Sequence, residues 1–293
     1  MRCFLLHFLK FFGILMIISC CFYGCIDYLN SKKISDYICS VDKNSMFIGD
    51  SHLQNGINDE LITDGINFSQ NGESYYFSYQ KLKKIIALNK QLKTVYLGFS
   101  YHNLSSYYDD YVFGKYNKEI TSRYFFILPA SEKVKFIKCN LSDEMLYFKN
   151  IFEKGIVNVL RKKDKYSFFG YYQNGFYNVE SRKKSMDKRI QLQFFNETKI
   201  ANFSEVNIIY LKKIIVLCKE KNIDLIVLNT PLDPYYKNNI PQQYIDKYNQ
   251  IIETQKLRVV DFHNLKFQKN DFIKDGDHLS VKGSLLISKF LNN

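Results

Sequence analysis

Ser45-Met46-Phe47-Ile48-Gly49-Asp50-Ser51-His52 is a short apolar run that stops at a glycine and passes into three polar residues. An apolar run of this length bounded by turn residues reads as a buried strand, and Gly-Asp-Ser-His reads as the loop leaving it. The pattern recurs downstream. Ile66-Asn67-Phe68, Thr94-Val95-Tyr96-Leu97, Asp224-Leu225-Ile226-Val227-Leu228 and Arg258-Val259-Val260 are further short strands, the second of these ending at Gly98. Helix-like stretches separate them at 74–88, 203–221, 242–254 and 281–291, with a shorter one at 58–62. Five apolar strands alternating with helices predict an α/β domain, a doubly wound five-stranded parallel sheet covered on both faces. Right-handed crossovers then gather the loops after the strands along one edge, where sites in such folds lie.

Working outward, residues 3–26 read CFLLHFLKFFGILMIISCCFYGCI, broken only by His7 and Lys10. This approaches the roughly 20 apolar residues that a spanning helix needs. Residues 1–29 are read as a single membrane anchor, with a cleaved signal peptide, or a lipoprotein-type cleavage box at Ile17-Ile18-Ser19-Cys20, as alternatives. All three export the remainder of the chain. Arg2 and Lys10 precede the segment and Lys32 and Lys33 come after it, and an outward orientation puts the domain outside the cytoplasm. Residues 30–44 are polar and read as a linker. Residues 45–293 form one domain, in which 107–200 lacks the strand rhythm and reads as an insertion or lid. Helix-compatible pieces within it fall at 131–137 and 144–160, followed by Gly170-Tyr171-Tyr172-Gln173-Asn174-Gly175.

Hydrophobic residues make up 46% of the 293, with 25 Phe and 23 Tyr, which excludes a disordered chain. The net charge of +12 favours an anionic partner such as a glycan or a lipid headgroup surface. Nucleic acid is not expected, because the lysines are interspersed with acids and no nucleic-acid motif occurs. Four of the seven cysteines fall in the apolar segment, while Cys39, Cys139 and Cys218 lack metal-ligand spacing. Cys218, in an apolar helical run, reads as core.

Ser51 leaves the first strand beside small neighbours, the placement a nucleophilic serine needs if a carbonyl is to approach it. Near the other end, Phe272-Ile273-Lys274-Asp275-Gly276-Asp277-His278-Leu279-Ser280 precedes the last helix. An Asp three residues before a His can hold the imidazole Nδ1 and leave Nε2 for a serine. Asp261-Phe262-His263 offers a competing pair. His52 and His102 are candidate site-lining residues on the same edge. A rival site class, a metal-dependent phosphoesterase, would use Asp50, His52, His102, Asp275, Asp277 and His278 as ligands. A non-catalytic envelope glycan-binding or assembly module on the same fold is the other alternative.

A GDS-type serine block at the first strand and an Asp-x-x-His block before the last helix resemble the SGNH/GDSL hydrolase superfamily, over essentially all of 45–291 except the insertion. The Gly-Asp-Ser-His variant, the anchor and the Asp-Gly-Asp-His-Leu-Ser ending are similar to the branch of alginate O-acetyltransferase-like and D-alanyl-lipoteichoic-acid transfer proteins. The resemblance implies a flavodoxin-like SGNH fold in which Ser51 is the nucleophile, His278 the base and Asp275 its orienter. It also implies an oxyanion hole from the amides of Ser51 and Gly72 and a side-chain donor, for which the counterparts here are Asn103, Ser100 or neither. The chain departs from the family's Gly-x-Asn-Asp pattern here, with Ser100 where Asn is usual. The activity that the resemblance implies is that of an esterase or O-acyltransferase acting on small acyl esters, such as acetyl, of a cell-envelope glycan, with no cofactor. A multi-spanning membrane acyl-transfer protein is the partner such a role admits.

Overall fold

A computed structural model describes residues 2–139, 144–160, 169–173 and 181–292. The chain opens with α1 (Arg2–Ser40), β1 (Ser45–Ile48), α2 (Ser51–Gly56), β2 (Gly65–Asn67), α3 (Tyr75–Leu88) and β3 (Thr94–Gly98). There follow α4 (Asp109–Val112), α5 (Asn117–Tyr124), α6 (Ala130–Cys139), α7 (Glu144–Leu160) and α8 (Arg182–Phe194), then a small hairpin, β4 (Phe195–Asn196) and β5 (Lys199–Ile200). The remainder is α9 (Glu205–Glu220), β6 (Asp224–Asn229), α10 (Pro234–Asn238), α11 (Gln242–Gln255), β7 (Arg258–Asp261) and α12 (Val281–Asn292).

The central sheet has the order β2-β1-β3-β6-β7 and every pairing in it is parallel. The expected doubly wound sheet is therefore present, on the five strands read from the sequence. Its middle strands carry buried side chains toward both faces: Phe47, Val95, Leu97, Val227 and Leu228 are all buried. A strand buried on both sides needs an apolar run rather than an alternating one, which is why these segments read as they do. The chain leaves β1 to one side and returns past it to β3 on the other. The carboxyl ends of β1 and β3 thus form the switch point where such sheets leave a crevice. Asp50–His52 and the loop after Gly98 both start there.

Two segments differ from expectation. Residues 30–40 are not a linker, because α1 continues unbroken to Ser40 and packs on the body. Ile26, Asn30, Ile34 and Ile38 are all buried. They recur every four residues, a buried stripe, apolar except for Asn30, that the polar residues between them conceal when only average polarity is read. Asn30 Nδ2 donates to the Gly155 carbonyl at 3.1 Å, and Lys33 Nζ to the Asn158 and Val159 carbonyls at 3.3 and 2.7 Å. Lys33 thus caps carbonyls in the last turn of α7. The first part of α1 is long and apolar enough to cross a membrane, and its place near the N-terminus suits a signal sequence equally.

The 107–200 region is mainly helical where described, and the 131–137 and 144–160 pieces fall within α6 and α7. Asn174 and Gly175 lie outside the described residues. Cys218 is buried in the core, as its apolar helical run implies.

Candidate active site

Asp50 ends the loop after β1 and caps α2, its carboxylate accepting the His52 amide at 2.9 Å. Ser51 is the first residue of that helix, so its hydroxyl stands at the carboxyl edge beside the switch point. His278 arrives from the opposite end of the chain. The segment before it turns at Gly276, whose φ of +69° favours glycine. A Cβ there would also lie 2.6 Å from Met186 Sδ. The turn is closed by the Gly276 amide on the Ile273 carbonyl and by the Ile273 amide on the His278 carbonyl.

His278 Nε2 lies 2.7 Å from Ser51 Oγ, and His278 Nδ1 lies 2.7 Å from Asp275 Oδ2. Asp275 also accepts the amides of Asp277 and His278 at 3.2 and 3.1 Å, so its carboxylate is fixed by the turn it serves. Ser51 and His278 are only 6% and 8% exposed. Burial opposes the imidazolium, but the carboxylates of Asp275 and Asp277 outweigh it and hold the His278 pKa above its ordinary value. Burial raises the Asp275 carboxyl, but the charge and hydrogen bond of His278, with Arg189, bring it to a net shift downward. With Nδ1–H given to Asp275, Nε2 is the lone-pair nitrogen facing Ser51. That arrangement can take a proton from the hydroxyl.

A second buried layer backs this chain of hydrogen bonds. His52 stacks on His102 with ring centroids 3.9 Å apart and lies 4.9 Å from the His278 ring. Its Nδ1 is 2.9 Å from Thr230 Oγ1, and its Nε2 comes within 2.9 Å of Asp277 Oδ1 without hydrogen-bond alignment. His102 Nε2 meets Asp50 Oδ2 at 2.8 Å, and burial first, then His52, lowers the His102 pKa. Asp50 also accepts from Asn103 Nδ2 at 2.8 Å and from the Tyr108 hydroxyl. Burial raises Asp50, but His102, His52 and Tyr108 together hold it well below the usual carboxylate range. Both histidines therefore face inward, toward Asp277 and Asp50, and support the wall behind His278.

The expected oxyanion donors are distributed unevenly. The loop before Gly72 lies against α2, with the Gln70 amide on the Gly49 carbonyl at 2.9 Å and the Asn71 amide on Gln54 Oε1 at 2.8 Å. Gly72 itself has φ +70°. Ser100 Oγ donates to Asn229 Oδ1 at 2.7 Å. Asn103 gives one amide proton to Asp50, and its Oδ1 accepts the Ser100 amide. The competing pair after β7 is tied to itself, with His263 Nδ1 2.7 Å from Asp261 Oδ1.

The insertion contributes more than a cover. Arg182, Met186, Arg189 and Gln193 recur along one face of α8, and each meets the DxxH segment or its neighbours. Arg182 donates to the Ile273 carbonyl at 3.2 Å and pairs with Asp233. Arg189 Nε donates to Asp277, and Gln193 Nε2 reaches the same carboxylate oxygen at 3.0 Å. Burial raises the Asp277 carboxyl, but Arg189 and His52 hold it well below its ordinary range. The spacing of 4, 3 and 4 residues was the available signal in the sequence.

Next to Gly72, Glu73 is fully buried with Lys81. Burial raises the Glu73 carboxyl and lowers the Lys81 ammonium, and each is countered by the other's charge. Tyr124 and Ser78 donate to Glu73 at 2.8 and 2.7 Å, and Lys81 Nζ also donates to the Phe68 carbonyl at 2.7 Å. Lys81→Met is expected to destabilise the fold by about 3 kcal/mol, since it strands a buried carboxylate. A urea midpoint unchanged from the parent would refute that pairing.

His52, Asp277 and His278 offer nitrogen and oxygen atoms within 4.8 Å of one another, the grouping a metal would need. Asp277 already pairs with Arg189, and His278 has Ser51 and Asp275 on its two nitrogens. An ion there would have to displace both sets of partners.

No family model matches the sequence, and neither does any curated protein. Two solved structures take a similar course. One is described as a platelet activating factor from Streptococcus pneumonia, with 13% identity and a TM-score of 0.40, covering 94% of this chain and 96% of the other. The second is a GDSL-like lipase from Bacteroides thetaiotaomicron VPI-5482, with 11% identity and a TM-score of 0.38, covering 89% and 94%. At such distances the chemistry of this chain rests on the geometry of its own site.

Proposed function

We propose that the protein is an SGNH-type serine esterase or O-acyltransferase in which Ser51 attacks an acyl ester. The observation that carries this reading is the continuous chain Ser51–His278–Asp275, with both links at 2.7 Å. In this mechanism His278 takes the Ser51 proton as Oγ attacks the carbonyl carbon. Asp275 holds the imidazole tautomer and stabilises the imidazolium. The tetrahedral oxyanion is received by the amides of Ser51 and Gly72, with the second amide proton of Asn103 as the side-chain candidate. Collapse expels the alcohol, which takes the proton from His278 and leaves an acyl-Ser51. A second hydroxyl, from water or from a sugar, then reverses the sequence. A small acyl group and an envelope glycan acceptor belong to the same proposal.

The test is covalent. A fluorophosphonate probe should add one phosphonyl group to the full-length protein at Ser51, found by peptide mass spectrometry, and Ser51→Ala should take none. Labelling at another serine, or no labelling of the folded protein, sinks the reading.

A further inference from the structure

Helix α1 gives the catalytic edge a fixed direction. Just past its end, the Val41 carbonyl accepts from Asn89 Nδ2 at 3.2 Å and Gln91 Nε2 at 3.0 Å, in the turn that feeds β3. This is the amino edge of the sheet. Further back along α1, the Tyr37 ring lies 6.1 Å from Phe68, which leaves β2 at the carboxyl edge. Further still, Tyr23 lies 6.4 Å from Phe125 and Phe22 lies 5.2 Å from Phe152. The helix therefore runs antiparallel to β1, and going toward its N-terminus it passes the carboxyl edge before it leaves the body. Residues 3–22 are exposed throughout. At 1.5 Å per residue they extend about 30 Å, the thickness of a bilayer's hydrocarbon core.

We propose that α1 crosses the bilayer and holds the carboxyl edge of the sheet toward it, so that Ser51 acts on acyl esters presented at a membrane surface. The choice of ester rests on the function proposed above, whereas the orientation rests on α1 alone. The attachment has no slack, because Ile26, Asn30, Ile34 and Ile38 are buried in the body directly after the exposed stretch. Between Phe22 and Tyr37 the helix rises about 22 Å, which sets the height of the carboxyl edge above the hydrocarbon boundary. Helix α7 descends toward the same boundary. It runs parallel to α1, with Phe152 against Phe22, Gly155 against Asn30 and Val159 against Lys33, so its first turns reach the level of the exposed stretch. Phe148 is 39% exposed there, and Lys149 beside it, in an exposed pair with Glu153 at 3.8 Å, can turn to an anionic headgroup.

The orientation is read with a fluorescent amino acid at position 149 or at position 90, in the full-length chain reconstituted into phosphatidylcholine and phosphatidylglycerol vesicles. Lipids brominated on the acyl chain should quench position 149 and leave position 90, at the amino edge, unchanged. Equal quenching, or stronger quenching at 90, overturns the orientation. So does a membrane preparation whose mass shows the first 20 or so residues removed. The substrate class is read by inserting seven helix-forming residues between Cys21 and Phe22, which lifts the body about 10 Å and keeps the helix phase within about 20°. Turnover of a vesicle-embedded acyl ester should fall by about tenfold or more while a short soluble ester is unaffected. Equal effects on both esters overturn the surface-presented substrate. Absence of turnover of either ester by the unaltered chain fails the esterase reading, and the quenching result then still decides the orientation.

Discussion

Ser51→Ala is expected to lower kcat for a chromogenic acetyl ester by about four to six orders of magnitude with little change in KM. The substitution removes only the hydroxyl, on a residue with 6% exposure at the start of α2, so the fold should persist and its melting temperature is the control. What is lost is the bond-forming atom itself, which no neighbour replaces. Three neighbouring hydroxyls are committed elsewhere: Ser100 Oγ to Asn229, Thr230 Oγ1 to His52 and the Tyr108 hydroxyl to Asp50. His278→Ala should give a loss of similar size, and the double variant no more than either single one, because a nucleophile without its base and a base without its nucleophile fail at the same step. Retention of turnover within tenfold of the parent by the purified Ser51→Ala protein would overturn the nucleophile assignment. Losses that multiplied in the double variant would mean that the two side chains act at separate steps.

How much of this site the sequence reveals depends on how local each contact is. Asp275 and His278 are three residues apart and joined by one turn, so their pairing is visible as spacing alone. Ser51 is legible because it leaves a strand whose apolar run is unmistakable. The meeting of Ser51 with His278, across 227 residues, is a property of the sheet, and it was inferable only because the first strand and the last helix have fixed places in this topology. Where a contact depends on the insertion, no such rule applies. Arg189 lies 88 residues from Asp277 and Tyr108 lies 58 from Asp50, and neither segment belongs to a strand-helix repeat that would place it. The same holds for the oxyanion side chain. Whether Ser100 or Asn103 faces the serine is decided by Asn229 and Asp50 competing for their polar atoms, which spacing does not record. The helical run through 30–40 was hidden for another reason. Buried positions scattered among polar and charged neighbours are a stripe and not an apolar segment, so only the period of four carries the signal.

Asp275→Asn and Asp277→Asn should separate the two carboxylates that face the same imidazole. Asp275 Oδ2 is 2.7 Å from His278 Nδ1, while the nearer approach of Asp277 to that nitrogen is 3.9 Å. An asparagine at 275 can present its amide N–H to Nδ1, which moves the imidazole proton to Nε2 and removes the lone pair that faces Ser51. The plateau of kcat should then drop by about 10³ to 10⁴. Asp277→Asn leaves the Asp275 contact intact and removes a carboxylate that pairs with Arg189 and stands 3.9 Å from the imidazole, so its plateau should fall by about tenfold or less. The pH profile moves for both, in a direction fixed by the charges. His278 must be neutral to accept the serine proton, and its pKa is raised by Asp275 first and then by Asp277. In the parent, kcat/KM should therefore rise with pH through a value above the ordinary 6.5 of an imidazole and be lost below it. Deleting either negative charge lowers the His278 pKa, and the acidic limb moves to lower pH. The combination is diagnostic: a deep plateau loss with a shifted limb at position 275, against a shifted limb with a nearly preserved plateau at 277. Should the plateau losses come out equal, or larger at 277, Asp277 would be the residue that orients His278. The Arg189 and Gln193 contacts from α8 would then be holding the orienter itself, and the insertion would belong to the catalytic machinery rather than to its support.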